Sequence, residues 1–168
     1  MKSIGTRGRH FLIFLSFVVW GCAIAPVETT ESGPAAALES SVLIVTQKTK
    51  FKQEVVSEVR KALNQNSIHT KIVDVKNLRS QDTRDFSAIV IINRALAGRP
   101  DPRVESYIDY EPQKNKIIIL TTGILDAWKP DTEGVDAMTS ASVISKSDKI
   151  AKTIVKKVLA IVEQNKAQ

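Results

Sequence analysis

Apolar residues change their spacing early in the folded part of the chain, and this change predicts the first two elements. Residues 42–45 form a continuous apolar run, as expected of a strand covered on both faces of a sheet. After a polar turn, apolar side chains recur at helical spacing, at Phe51, Val55, Val59, Ala62 and Leu63. The pattern therefore predicts a buried strand, a turn and a helix over residues 50–66, which together begin a β-α-β unit.

Four more apolar segments predict the rest of the sheet. Strands are expected over residues 70–75, 86–93 and 117–121, with a short fifth strand within residues 135–142. The very apolar window 88–92 indicates a central strand, whereas the imperfect alternation over 70–75 is typical of an edge strand. Strands that alternate with helices predict an α/β three-layer sandwich, with a parallel sheet of about five strands in the order 2-1-3-4-5.

Two further helices are predicted from capping residues and apolar stripes. Asp101 can cap a short helix that begins at Pro102 and turns Val104 and Ile108 toward the core. The start of the last helix is predicted at residues 145–148, where Ser and Asp have the spacing of a capping box. Its apolar stripe consists of Ile150, Ile154, Val158 and Ile161.

The first 21 residues have the three-part pattern of a secretory signal. Basic residues come first, the apolar run 11–20 follows, and small residues end it. This run is too short for a membrane span, which needs about 20 residues. Two cleavage sites are open: one after the small residues at 23 and 25, which Pro26 follows, and one within the sequence 19–22, which resembles the lipobox of bacterial lipoproteins with Trp20 as a departure.

Cys22 favours the lipobox interpretation. It is the only cysteine of the chain, so an internal disulfide is impossible and a lone exported thiol needs another explanation. Lipid attachment at Cys22 supplies one. Residues 22–40 then form a lipid-anchored flexible linker, since they contain Pro, Ser, Thr and Ala without amphipathic spacing. The folded domain is predicted to span residues 41–168, in a bacterial cell envelope.

The charge balance argues against a nucleic-acid partner. The chain has 24 Lys and Arg against 18 Asp and Glu, but three of the bases lie in the signal peptide. The mature chain is therefore only about +3, and an exported protein rarely meets nucleic acid. The expected partners are the membrane, through the lipid on Cys22, and other envelope proteins.

The predicted domain resembles the flavodoxin-like family over residues 41–163, in the order and length of its elements. The resemblance implies a ligand site at the carboxyl ends of the strands, with an FMN phosphate in the turn after the first strand. The candidate ligand residues are Thr46, Thr49, Lys50, Asn93, Arg94 and Trp128. The turn at residues 46–52 has no glycine, unlike the flavodoxin phosphate turn, so FMN is possible but no cofactor is the leading expectation.

No catalytic set is evident. The response-regulator pattern is excluded because Gln47, Lys48 and Asn93 stand where that family needs an acid pair and a phosphorylatable Asp. His69 is the only histidine after the signal, so a His/Cys metal site is not expected. The leading hypothesis is a lipid-anchored envelope protein whose degenerate flavodoxin-like domain is a binding or interaction module and not an enzyme. The alternative is an FMN-binding electron-transfer protein of the envelope.

Overall fold

A computed structural model describes residues 30–32, 40–95, 99–123 and 134–167, with the backbone alone for 30–32. Cys22 and Trp128, two of the predicted functional residues, lie outside these ranges. The described strands are β1 (Thr30–Ser32), β2 (Ser41–Thr46), β3 (His69–Asp74), β4 (Ala88–Arg94), β5 (Ile117–Gly123) and β6 (Asp136–Ala141). The α-helices are α1 (Lys50–Gln65), α2 (Pro102–Tyr110) and α3 (Ser147–Lys166). Short 3₁₀ turns occur at Val75–Ser80, Thr83–Asp85, Lys114–Lys116 and Ile144–Lys146.

The strands form one sheet in the order β1-β3-β2-β4-β5-β6. All pairs from β3 to β6 are parallel, so their carboxyl ends meet at one edge. We call this side the carboxyl edge and the opposite side the amino edge. Counted from β2 onward, the five parallel strands have the predicted order 2-1-3-4-5. β4 is central, as its apolar sequence predicted, because it pairs with both β2 and β5.

The first strand corrects two expectations. β1 pairs antiparallel with β3, with Thr30 opposite Ile72 and Ser32 opposite Thr70. Part of the 22–40 segment, predicted as an irregular linker, is therefore extended and paired, and β3 is not the edge strand of the sheet. The sequence pattern missed β1 because a short edge strand is joined through backbone N–H and C=O groups, which every residue carries.

Helices cover both faces of the sheet, and each face has its own apolar core. Alternate residues of β2, such as Val42 and Ile44, contact α1 and α3 on one face. Leu43 and Val45 pack on the other face with α2 and the 3₁₀ turn that follows β3. No described residue of β4 from Ala88 to Ile92 is accessible to solvent. This two-sided burial explains why the central strands are apolar throughout.

Side-chain caps mark the starts of α1 and α2, whereas α3 begins without one. Asp101 caps α2, and its carboxylate accepts a hydrogen bond from the N–H of Arg103, as predicted. The capping box at 145–148 is wrong: α3 begins at Ser147, whose hydroxyl donates to the carbonyl of Ile144 at 2.7 Å. A 3₁₀ turn forms there, and hydrogen bonds within this turn satisfy the polar groups that a capping box would have satisfied. The spacing of Ser and Asp therefore predicted a cap that does not form.

The apolar stripe of α3 is shifted slightly from its predicted position. Ile150, Ile154 and Val158 are buried as expected, but Val162 takes the buried place assigned to Ile161, which is only partly buried. At about 100° per residue, Val162 lies about 40° from Val158 around the helix and Ile161 about 60° on the other side, so both positions border the stripe. None of the helices in the described ranges combines the length and apolar character that a membrane crossing requires.

Candidate functional site

The turn between β2 and α1 begins the candidate site. Thr49 caps α1, because its side-chain oxygen accepts a hydrogen bond from the N–H of Lys52 at 3.4 Å. The N–H groups of Lys50 and Phe51, in the first turn, have no partner within the helix. Thr46 is buried, and its hydroxyl donates to the carbonyl of Gln47 at 3.4 Å. Both predicted hydroxyl residues are therefore engaged in the turn itself.

Asn93 is fully buried near the end of β4 and forms hydrogen bonds with neighbouring elements. Its amide nitrogen donates to the hydroxyl of Thr121 at 3.1 Å, and its amide oxygen accepts from the N–H of Asp101 at 3.2 Å. The hydroxyl of Thr122 donates to the carbonyl of Asn93 at 2.9 Å. These bonds join the carboxyl ends of β4 and β5 to the start of α2. Asn93 therefore lies beneath the candidate site and fixes the backbone around it.

A chain of polar side chains crosses the carboxyl edge from α1 to α2. The ammonium of Lys52 donates to Gln47 Oε1 at 2.8 Å, and Gln47 Nε2 donates to Asp101 Oδ2 at 3.0 Å. Arg103 completes the chain with two bonds to the Asp101 carboxylate, Nε to Oδ1 at 2.9 Å and Nη2 to Oδ2 at 2.7 Å. This bidentate geometry ties the negative charge of Asp101 to Arg103.

Lys52 carries the most unusual charge of the site. It is only 2% exposed, although it stands in the first turn of a helix. Burial, reinforced by the neighbouring positive charge of Arg94 and partly opposed by Asp101, lowers the pKa of its ammonium from 10.5 to about 8. The hydrogen bonds from Arg103 lower the pKa of Asp101, and Asp101 raises that of Arg103. Lys52 is thus a buried cation, and the removal of its charge from water is energetically unfavourable.

A surface cleft of about 440 Å³ opens above Lys52. Its lining residues are Thr49, Lys50, Phe51, Lys52, Arg94, Thr122, Ser142 and Ile144. We call it the carboxyl-edge cleft. Arg94 is the exposed last residue of β4, and within the described ranges its guanidinium forms neither a hydrogen bond nor an ion pair. The cleft therefore gathers three cations and several hydroxyls, and the nearby carboxylate of Asp101 is already bound to Arg103.

The structure brings together part of the predicted residue set. Thr49, Lys50 and Arg94 line the carboxyl-edge cleft, while Thr46 and Asn93 lie under it and Trp128 is outside the described residues. Sequence reasoning missed Lys52 and Thr122 as lining residues. One signal was available for Lys52, since it stands four residues before the buried Val56 and so shares its helix face.

A depression larger than the carboxyl-edge cleft lies away from the strand ends. It measures about 530 Å³ and runs between α1 and α3, where Ala62, Ala151, Val155 and Leu159 form an aliphatic floor. Charged side chains such as Lys152, which pairs with Asp148 at 2.8 Å, stand at its rim. None of the buried polar residues in the described part of the chain lines this groove, so it offers less chemistry than the carboxyl-edge cleft. Among the described residues, no three His, Cys, Asp or Glu side chains are placed to hold a metal ion.

Comparison with solved structures decides the fold. The chain is similar to a flavodoxin from the domain Archaea, with 6% identity and a TM-score of 0.54 over 72% of this chain and 98% of that one. The domain has a flavodoxin-like fold. A flavodiiron core from Synechocystis gives a TM-score of 0.57 with 8% identity over 79% of this chain, and the flavodiiron protein from Giardia intestinalis gives 0.54 with 11% identity over 76%.

These likenesses concern the fold alone, because the sequence identities are very low. The chain spans only 38% of the length of each of the two flavodiiron chains. No protein-family model matches the chain, and no curated protein of similar sequence is found. What the flavodoxin-like domain binds must therefore be argued from its own residues.

Proposed function

We propose that this protein is an exported lipoprotein, attached to a bacterial membrane through Cys22, whose flavodoxin-like domain is a binding module and not an enzyme. The observation that carries the binding role is the carboxyl-edge cleft. Lys50, Lys52 and Arg94 bring three positive charges to one concave surface, and the nearest carboxylate already has its own partner in Arg103. A site with this composition suits an anionic group, and the location agrees with the switch point of the 2-1-3-4-5 sheet.

The position of the cleft at the start of α1 adds to this preference. Unpartnered N–H groups and the positive end of the helix dipole favour negative charge. Arg94 can reach a phosphate with two N–H groups, which a lysine cannot do. Phosphate-bearing ligands are therefore the class that the cleft suits best, and membrane-associated molecules or other envelope proteins are the candidates that a lipid anchor would bring near.

The second candidate is an FMN-binding electron-transfer protein, which the likeness to flavodoxins favours. The cations and the first turn of α1 fit the phosphate of FMN. The hydroxyls of Thr46 and Thr49 fit less well, because each is engaged in the turn, and no glycine is present to let the backbone curl further. The flavin itself would supply the redox chemistry, while this chain would bind its phosphate and orient the ring.

We expect the mature protein, purified in detergent, to bind inorganic pyrophosphate in a calorimetric titration. Arg94→Ala should weaken this binding by about tenfold, which corresponds to one lost charge-assisted hydrogen-bond pair. Arg84→Ala is the matched control, since Arg84 is an exposed arginine at the other end of the sheet. No heat with the wild-type protein, or equal losses in both variants, would contradict an anion site in the cleft.

The same titration with FMN separates the two candidates. A binding module for phosphate groups should bind FMN no more tightly than pyrophosphate, because the ring then adds no contact. Much tighter binding, with flavin absorbance that stays with the protein through gel filtration, would instead favour the electron-transfer protein.

Membrane attachment is tested separately at its proposed residue. Cys22→Ala should release the protein from membranes or stop its maturation, because the lipid supplies the membrane affinity. The measurement is cell fractionation followed by blotting for the processed chain. The lipid anchor is excluded if the variant matures normally and still sediments with membranes.

A further inference from the structure

The direction of β1 shows from which side the chain enters the domain. β3 runs from His69 at the amino edge to Asp74 at the carboxyl edge. Because β1 is antiparallel to β3, Thr30 lies opposite Ile72 and Ser32 opposite Thr70. The chain therefore passes through β1 away from the carboxyl edge. Whatever precedes Thr30 joins the sheet on the side of the carboxyl-edge cleft.

The number of residues before β1 limits how far this edge can be from a lipid on Cys22. Thr30 is eight positions after Cys22, with seven residues between them. A fully extended chain of that length reaches at most about 28 Å. The amino edge lies about one strand length farther away, roughly 20 Å for six residues. A short tether that ends at one edge brings that edge to the membrane more often than the other.

Positive charge is concentrated on the same edge. In residues 47–53, 74–79 and 94–105, which lie at the carboxyl ends of β2, β3 and β4 and in the first turns after them, the exposed bases are Lys48, Lys50, Lys76, Arg79, Arg94, Arg99 and Arg103. The acids of these segments are Asp74, Asp101 and Glu105, of which Asp101 pairs with Arg103 and Glu105 with Arg99. The connection 124–133, outside the described ranges, carries one lysine and three acids, so the excess of bases belongs to the β2, β3 and β4 side of the edge.

The amino edge has no comparable excess. Its acids include Asp82, Asp85, Glu111, Asp136 and Glu163, and its bases include Arg84, Lys114, Lys116, Lys157 and Lys166, so that these five acids and five bases balance. Lys116 is buried and donates to the carbonyl of Thr83 at 2.6 Å, so its charge faces the protein interior. Arg84 is paired with Asp82. The two edges of the sheet therefore differ in charge as well as in their distance from the tether.

A second basic depression extends the carboxyl-edge surface beyond the cleft. It measures about 310 Å³ and lies between the 3₁₀ turn after β3 and the start of α2. Lys76, Arg79 and Arg103 line it, and the guanidinium of Arg79 donates to the hydroxyl of Ser106. Cations thus occur along the edge from α1 to α2, over a width that a single small anion would not fill.

We propose that the carboxyl edge docks on the anionic lipid headgroups of the membrane that holds the anchor. The proposal rests on the lipid anchor of the proposed function and names its ligand as headgroup phosphate. Anionic membrane surfaces attract clusters of Lys and Arg within about one Debye length, which is about 8 Å at physiological salt. The tether keeps the edge near the surface, and the seven exposed bases then hold it there. The domain would lie on the membrane with its amino edge turned outward.

The test measures which edge contacts the membrane in the full lipidated protein. Cys22 is the only cysteine and its sulfur is blocked by lipid, so Lys76→Cys and Arg84→Cys each add a single free thiol for a fluorophore. Each labelled protein is reconstituted in vesicles that contain headgroup-attached quencher. One vesicle is phosphatidylcholine alone, and the other is phosphatidylcholine and phosphatidylglycerol at two to one. We expect strong quenching at position 76 and little at position 84 in the anionic vesicles.

Two comparisons make the result specific to charge. Quenching at position 76 should be lost in phosphatidylcholine alone or in high salt. It should also be lost when Lys48→Glu and Arg79→Glu are added. Arg84→Glu with Lys166→Glu, a matched pair at the amino edge, should leave it unchanged. Equal quenching at positions 76 and 84 in the anionic vesicles would overturn the proposal, as would stronger quenching at 84.

Flotation of the vesicles separates this proposal from the anchor itself. A protein that floats with both vesicle types but shows no preferred edge retains its lipid anchor and lacks the docking surface. A protein that floats with neither vesicle type lacks the anchor, and the docking proposal then fails with it.

Discussion

Replacing Ile91 with aspartate is expected to abolish the cooperative folding of the domain. Ile91 is fully buried in β4, opposite Val45 of β2 and Ile119 of β5. The change removes about 2 kcal/mol of apolar burial and places a carboxylate where no partner is available. An unpaired buried charge costs several kcal/mol more, and the sum approaches the whole stability of a domain, about 5–15 kcal/mol. The variant should show no cooperative transition in urea when followed by circular dichroism.

The same substitution at an exposed isoleucine is the control. Ile144 is 43% exposed in the 3₁₀ turn before α3, so Ile144→Asp should change the free energy of unfolding by no more than about 1 kcal/mol. A soluble Ile91→Asp variant with a cooperative transition close to that of the wild type would mean that β4 is not the centre of the sheet.

Elements whose position depends on the spacing of apolar residues, or on a local cap, could be predicted from the sequence. Residues 88–92 predicted a central strand because a strand covered on both faces must be apolar at every position. Asp101 and Pro102 predicted the start of α2, because capping is a local interaction between neighbouring residues. The first prediction depends on the burial of a single strand, and the second depends on a hydrogen bond between neighbouring residues.

Elements joined through backbone groups alone could not be predicted in the same way. β1 is a strand because its N–H and C=O groups meet those of β3, about forty residues later in the chain, and Thr30–Ser32 has no apolar pattern. Likewise, α3 begins at a 3₁₀ turn, and the polar groups there had two competing ways to be satisfied. Patterns of side chains do not decide between such alternatives.

The candidate site shows the same limit at the level of single side chains. The sheet topology placed Thr49, Lys50 and Arg94 at the carboxyl edge, and they line the cleft. Topology did not reveal that Asn93 would turn inward to brace Asp101, or that Lys52 would be buried under the cleft. Those roles depend on side-chain hydrogen bonds, from Asp101 to Asn93 and from Lys52 to Gln47, and Gln47 in turn bonds to Asp101, 54 positions later in the chain.

Replacing Lys52 with methionine is expected to remove a rise in stability at alkaline pH. The pKa of Lys52 is about 8 in the folded protein and 10.5 without the surrounding structure. Between these values the unfolded chain binds more protons than the folded one, so the free energy of unfolding increases as the pH rises. The increase amounts to about 3 kcal/mol, since each pKa unit corresponds to about 1.4 kcal/mol. Urea titrations at intervals from pH 7 to 10.5 measure it.

The useful quantity is the difference between the wild-type and variant free energies at each pH. Tyr107 and Lys116 also have shifted pKa values, and their effects cancel in this difference because both are present in both proteins. Relative to the wild type, Lys52→Met should be most stable below pH 8 and should lose this advantage by pH 10.5. Lys48→Met, which removes an exposed charge from the same turn, is the matched control. Parallel stability curves for the wild type and Lys52→Met would show that the Lys52 ammonium is solvated, and the cleft would then lack its buried cation.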